Sequence, residues 1–208
     1  YNQNFKDDDF YVSKSNFYSF ELINKWPNWE KNFLNICGEK YSGKTHLINI
    51  FLKKFKGIKI SSNLLNNENL KEIKPYQNII LEDLNLQVDE KLIYSLFNII
   101  NQDNKFLIIT STEPISEIKF QLKDLCSRTK DCLLAKIENP DDDLMFALIL
   151  KNLSDRQILL DKKLIDFIIK RVERSYGKIF EFIYKIDKIS LKKKKSIDIK
   201  IINEALKN

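Results

Sequence analysis

Gly38-Glu39-Lys40-Tyr41-Ser42-Gly43-Lys44-Thr45, preceded directly by Phe33-Leu34-Asn35-Ile36-Cys37, decides how this chain is read. The octet spells G-x-x-x-x-G-K-T and uses two of only four glycines in 208 residues. Composition alone yields such a match on the order of 10⁻³ times in a chain of this length. The glycines let the backbone turn tightly, so that successive N–H groups aim at one point and can cradle phosphate. Lys44 adds a cation for the β- and γ-phosphates, and Thr45 a hydroxyl for Mg²⁺. The five residues before the loop read as a buried strand. Leu47, Ile48, Phe51 and Leu52 after it form a helical stripe, and the start of that helix adds the positive end of its dipole. The loop residues expected to hold nucleotide are Gly38, Tyr41, Ser42, Gly43, Lys44 and Thr45, with His46 beside them. His46 is the only histidine. Its place at a helix start suits packing better than catalysis. The stretch predicts a site for a nucleoside di- or triphosphate.

Working outward, an apolar content of 43% with 14 phenylalanines predicts a globular chain with a real core. No apolar run is long enough to span a membrane. Tyr1 to Asp9 is polar and acidic, unlike a signal peptide. Cys37, Cys126 and Cys132 are odd in number and form no CxxC pair, which fits reduced thiols in the cytoplasm and no structural zinc. Net charge is +6, spread over lysines. The one dense run, Lys192 to Lys195, reads as a solvated loop or, alternatively, a contact for nucleic acid.

Apolar runs without period-two alternation fall at Leu34–Cys37, Ile58–Ser61, Ile79–Glu82, Phe106–Ser111 and Cys132–Ile137, as in a parallel sheet covered on both faces. Helical patterns near Thr45–Phe55, Asp89–Asn101 and Ile118–Ser127 lie between them. The expected class is therefore α/β, a phosphate-loop core with a parallel sheet covered by helices. At Asn139-Pro140-Asp141-Asp142-Asp143 a helix start is announced. After it come only helical stripes: Leu144, Ala147 and Leu148; Leu164, Ile168 and Val172; Ile179, Ile183 and Ile186; and a short helix near Ile199–Leu206. The chain divides into an α/β nucleotide-binding core over 1–138 and a small all-α lid over 139–208.

Asn78-Ile79-Ile80-Leu81-Glu82-Asp83 is an apolar strand ending in two carboxylates, the form wanted where one acid sits near Mg²⁺ and a second orients attacking water. If Glu82 holds the metal, Asp83 must act as base with a shorter side chain. A shift of about 1 Å in a positioned group can cost on the order of 10²-fold in rate, so secure binding and slow hydrolysis are expected. Thr110-Ser111-Thr112-Glu113-Pro114 closes a later strand, where polar residues are placed to sense a γ-phosphate. Arginine is rare, with only Arg128, Arg156, Arg171 and Arg174. Leu125-Cys126-Ser127-Arg128 ends a helix, and from the residues alone Arg128 is equally a partner of that helix's dipole or a group reaching a neighbouring subunit's nucleotide.

These segments together resemble the AAA+ domain of DnaA-related ATPases, most of all its truncated Hda-like members of alphaproteobacterial type. The resemblance rests on Gly43-Lys44-Thr45-His46-Leu47, on Asp8-Asp9-Phe10-Tyr11-Val12 with Trp26-Pro27-Asn28-Trp29, on Thr110–Pro114 and on Leu125–Arg128. It implies that Phe10, Tyr11 and Val12 pack on adenine, that Thr112 is a sensor and that Arg128 is an arginine finger acting in trans. It also implies an ATP or ADP cofactor with Mg²⁺ held through Thr45 and Glu82. Two departures stand out. The lid arginine of the family falls on Gly177, so that either Lys178 beside it substitutes or sensing of the nucleotide state is weakened. No copy of the clamp-binding motif is evident in Tyr1-Asn2-Gln3-Asn4-Phe5. The sequence runs out after the lid, so sequence-specific DNA binding is not expected.

The resemblance implies a regulator of replication initiation that promotes hydrolysis of DnaA-bound ATP through Arg128, with the polymerase sliding clamp as partner and self-association as a further expectation. A second reading is an ATPase that loads or remodels a replication or transposition complex by its own turnover through Asp83. A third is a nucleotide-stabilised adaptor without catalysis.

Overall fold

The computed structural model of the protein describes residues 10–207. Five apolar runs become strands: β1 (Phe33–Cys37), β2 (Gly57–Ser61), β3 (Asn78–Leu84), β4 (Phe106–Ser111) and β5 (Leu133–Lys136). All pair in parallel, in the order β2-β3-β4-β1-β5. Parallel neighbours need crossover connections, supplied by α2 (Lys44–Lys54), α3 (Asn67–Glu72), α4 (Glu90–Gln102) and α5 (Lys123–Thr129), while α1 (Phe17–Lys25) precedes β1. The expected α/β class, a parallel sheet covered by helices, is the observed one. Successive strand residues point to opposite faces, and both faces are dry. On one, Phe33, Ile79, Leu81, Leu107 and Ile109 join Ile93, Leu96 and Phe97 of α4, with Phe33 stacked on Phe97 at 4.7 Å. On the other, Phe51 of α2 meets Trp26 and Trp29, which also meet Phe106. Each fully buried side chain of this kind contributes about 1.5–3 kcal/mol.

Strand order changes direction at β1, where the chain runs on to β2 at one edge and later returns to β5 at the other. Ligands of open α/β sheets bind beyond the carboxyl ends of the strands at such a switch. The phosphate loop leaves β1 there.

One local reading needs correction, and two helices, α1 and α3, were not anticipated. The helix expected over Ile118–Ser127 begins only at Lys123. Gln121 and Leu122 give their N–H groups to the Glu90 carboxylate at 2.9 and 2.8 Å, so this stretch finds its acceptor on α4 and not along a helix. Helices α1 and α3 lack a long apolar period. Helix α3 is fixed by Asn66, whose side chain accepts from Glu68 N–H and Asn69 N–H.

Residues group into two compact units, one holding Asn16–Gly38 and Ser42–Ile137, the other Tyr11–Ser15, Glu39–Tyr41 and the stretch from Glu138. The second contains α6 (Asp142–Ser154), α7 (Lys162–Ile169), α8 (Tyr176–Lys193) and α9 (Ile199–Lys207) around Met145, Ile149, Ile165, Ile179, Ile183 and Ile202. Side chains of Asp141, Asp161 and Ser175 cap the N-termini of α6, α7 and α8. On α6, Leu144 is buried and Leu148 packs against the core as expected, with Met145, Ile149 and Leu153 at its centre. On α7, Ile165 and Ile168 lie in the core, with Leu164 and, beyond the helix end, Val172 packed against it. Among the described residues no helix is long and apolar enough to cross a membrane.

Candidate functional site

Gly43 has φ +95° and N-caps α2, a left-handed backbone that glycine adopts without steric penalty. Gly38 is required for a different reason. A Cβ there would lie 2.9 Å from Ser42 Oγ and 3.0 Å from Ile137 Cβ. Lys44 is buried, and its Nζ donates to Gly38 O at 2.7 Å, so the ammonium is held against the first carbonyl of the loop. Ser42 Oγ is buried without a hydrogen-bond partner among the described residues, and Thr45 is exposed on the first turn of α2. A phosphate-binding loop needs these features: a turn of glycines, an ammonium beside it and a polar atom not yet satisfied. The loop's residues divide between the compact units, with Gly38 and Ser42 to Thr45 in the first and Glu39–Tyr41 in the second.

Phe10 stacks on Phe20 at 5.8 Å and meets the edge of His46 at 5.2 Å. A Cβ on Gly43 would come within 3.2 Å of the Phe10 ring. Phe10 therefore packs over the start of α2, and His46 is a buried packing partner there. Tyr11 and Val12 lie in the other unit and are exposed. Tyr41, with φ +70°, stands against Phe180 of α8 at 5.1 Å. The residues before Phe10, including Asp8, Asp9 and the Tyr1–Phe5 stretch considered for a clamp-binding motif, lie outside the described residues.

The two acids of β3 sit in an irregularity. Register with β4 shifts between Leu81 and Leu84, and Asp83 takes φ +57°. Its N–H donates to Thr110 Oγ1 at 2.9 Å, and its carbonyl accepts from Ser62 Oγ at 2.7 Å. The bulge turns the Asp83 side chain out to solvent. Glu82 is largely buried, its Oε2 pairs with Lys59 Nζ at 3.1 Å, and its Oε1 has no hydrogen-bond partner among the described residues. An unsatisfied buried carboxylate oxygen fits a divalent cation or its water. Glu82 would hold Mg²⁺, with Thr45 adding its hydroxyl, and the ion would neutralise phosphate charge.

Thr112 is exposed, and it is Thr110 that touches the acid-bearing bulge. Arg128, in the last turn of α5, lies with its guanidinium carbon 5.0 Å above the Tyr94 ring. Lys178 is exposed, and its Nζ pairs with Glu181 at 3.1 Å; that hydrogen bond and charge raise its ammonium above the ordinary lysine range. Three contacts escaped the sequence reading: Lys59 on Glu82, Thr110 on Asp83 and Glu39 on the start of α8. A lysine inside an apolar strand run and a threonine two residues before the expected sensor were the available signs.

No family model matches the chain. The DnaA chromosomal replication initiator of Chlorobaculum tepidum is 28% identical over 154 residues, covering 70% of this chain and 31% of that protein. The chain thus spans about a third of that relative's length. Domain III of Thermotoga maritima DnaA superposes with a TM-score of 0.77 at 20% identity, covering 99% of this chain and 97% of that domain. A DnaA structure bound to AMPPCP and single-stranded DNA superposes with a TM-score of 0.69 at 19% identity, covering 93% of this chain and 69% of that one. The chain has the fold of DnaA domain III and is similar in sequence, at 28% identity, to part of a DnaA initiator.

Proposed function

We propose that this chain is an adenine-nucleotide-binding AAA+ regulator of replication initiation, which presents Arg128 to the ATP of a DnaA-type initiator, with the sliding clamp as partner. The observation that carries the reading is the contrast between Arg128 and the chain's own acids. Arg128 stands at the end of a short helix with its guanidinium over the Tyr94 face, a contact worth about 0.5–1 kcal/mol that steadies it without neutralising it. Glu82 is paired by Lys59, and Asp83 is swung outward by the bulge. Such an arrangement binds nucleotide and donates an arginine better than it positions water. Lys44, Ser42 and the N–H groups of the loop would bind and orient phosphate, Phe10 stands beside the loop, and Thr45 with Glu82 would hold Mg²⁺, which would neutralise phosphate charge. An arginine supplied to another subunit's nucleotide accelerates phosphoryl transfer by about 10³–10⁵.

Purified protein tests this with ATP and ADP in the presence of Mg²⁺, followed by a DnaA-type initiator and clamp. Nucleotide binding with negligible turnover by the chain alone, and initiator hydrolysis that rises and then collapses in Arg128→Ala, is the expected result. Brisk turnover by the chain alone, lost in Asp83→Asn, would replace this reading with the loader or remodeller.

A further inference from the structure

We propose that Glu39 is a positioning residue for phosphate binding, whose carboxylate anchors the second residue of the phosphate loop to the first turn of α8. The proposal rests on the nucleotide reading above and adds the residue that holds the loop. Both carboxylate oxygens are engaged. Oε1 accepts from Ser175 Oγ at 2.5 Å and from Gly177 N–H at 3.2 Å, and Oε2 accepts from Tyr176 N–H at 3.0 Å. The N–H groups at a helix start have no partner within the helix, and α8 is the longest helix among the described residues. A carboxylate there also meets the positive end of the dipole, and hydrogen bonds to an ionised acceptor are about twice as strong as neutral ones.

Capping alone does not account for the contact. Ser175 already caps α8 by accepting from Lys178 N–H at 3.3 Å. Glu39 comes from more than a hundred residues away, and the two residues after it follow the same path. Tyr41 adopts φ +70° to set its ring against Phe180, and Lys40 lies 5.2 Å over the Tyr41 ring. Glu39 and Tyr41 thus both seat on α8, with Lys40 between them lying over the Tyr41 ring. Gly177 completes it, since a Cβ there would stand 3.2 Å from Glu39 Oε1. This is the position where the resemblance placed a lid arginine, and this chain keeps it bare for the acid. Holding residues 39–41 still removes part of the ordering cost of wrapping the loop around a phosphate.

Charge and positioning predict opposite signs. A carboxylate in a phosphate loop repels phosphate, so if Glu39 acted through charge alone, removing it would tighten binding. If it acts as an anchor, removing it weakens binding. The experiment titrates a fluorescent ADP analogue into wild type, Glu39→Ala and Glu39→Gln, and follows amide hydrogen exchange at residues 176–178 without nucleotide. Expected are about tenfold weaker binding in Glu39→Ala, an intermediate loss in Glu39→Gln, which keeps one acceptor, and about tenfold faster exchange in Glu39→Ala. Unchanged or tighter binding in both variants overturns the proposal, as does unchanged exchange at 176–178. A wild-type chain that does not bind the analogue overturns the nucleotide reading instead, a failure visible before any variant is made.

Discussion

Thr110→Val separates the residue that supports the β3 acids from the one that sequence favoured. Thr110 is 1% exposed and accepts the Asp83 N–H at 2.9 Å, at the point where β3 and β4 lose register. Valine has nearly the same shape, so no cavity opens, and the change removes one acceptor. The Asp83 N–H, unable to reach a ladder partner from its φ of +57°, is then left without its bond. Leaving this partly buried donor without its bond costs toward the lower end of about 1–3 kcal/mol. Taking about 1 kcal/mol, and about 2–4 °C per kcal/mol for a chain of this size, the midpoint of thermal unfolding falls by roughly 2–4 °C. Thr112→Val at the exposed neighbour changes stability by less than about 0.5 kcal/mol. Circular dichroism melts of the two variants decide it. A Thr110→Val midpoint within a degree of wild type, or a larger loss from Thr112→Val, would refute the bulge as the reason Asp83 sits where it does.

Asn35, buried in β1, donates to Ile109 O and Ser111 Oγ and accepts from Ile115 N–H, so Asn35→Leu strands those groups and costs about 2–3 kcal/mol by urea unfolding. Asp141→Ala removes the α6 cap at a cost of about 1–2 kcal/mol at pH 7. Burial alone would raise the Asp141 carboxyl, but hydrogen bonds from Leu144 N–H, Ser13 and Ser15 hold it below the ordinary carboxylate range. A depressed value stabilises above the unfolded pKa near 4, so the gap between wild type and variant is full at neutral pH and closes as pH falls through the folded value. Cys132 is pushed up to about 12 by burial, then by Asp131. At pH 8 its thiolate fraction is on the order of 10⁻⁴, and alkylation in the folded protein should run at least a hundredfold slower than after unfolding, as mass spectrometry of the modified peptides would show.

What was legible in the sequence follows from how each feature is encoded. Buried strands of a parallel sheet are apolar on both faces, so β1, β3 and β4 stand out as runs without period-two alternation, Asn35 in β1 excepted. The phosphate loop is legible because its geometry demands glycines that this chain otherwise hardly uses. The α5 boundary was not legible, because Gln121 and Leu122 are held by Glu90 from another helix, a bond that no local pattern announces. Helix α3 hides in an asparagine-rich stretch without a long apolar period, where only the Asn66 cap marks its start.

The same division runs through the candidate site. Residue types were legible there and pairings were not, because each pairing joins residues far apart in the chain: Lys59 with Glu82, Thr110 with Asp83, Glu39 with Tyr176. The pairings carry the functional argument, since a loop, two acids and an arginine are equally the parts of a working ATPase. Against that reading stand a lysine on the buried acid, a bulge that turns the second acid outward, and an arginine braced on an aromatic face with no acid of its own chain neutralising it among the contacts described for it. Restoring straight pairing at the bulge is therefore a sharper test of why hydrolysis should be slow than exchanging the acids themselves. A variant that recovers register there and gains turnover would show that the slow chemistry is built into the backbone of β3, whereas a gain from lengthening Asp83→Glu alone would place it in the side chain.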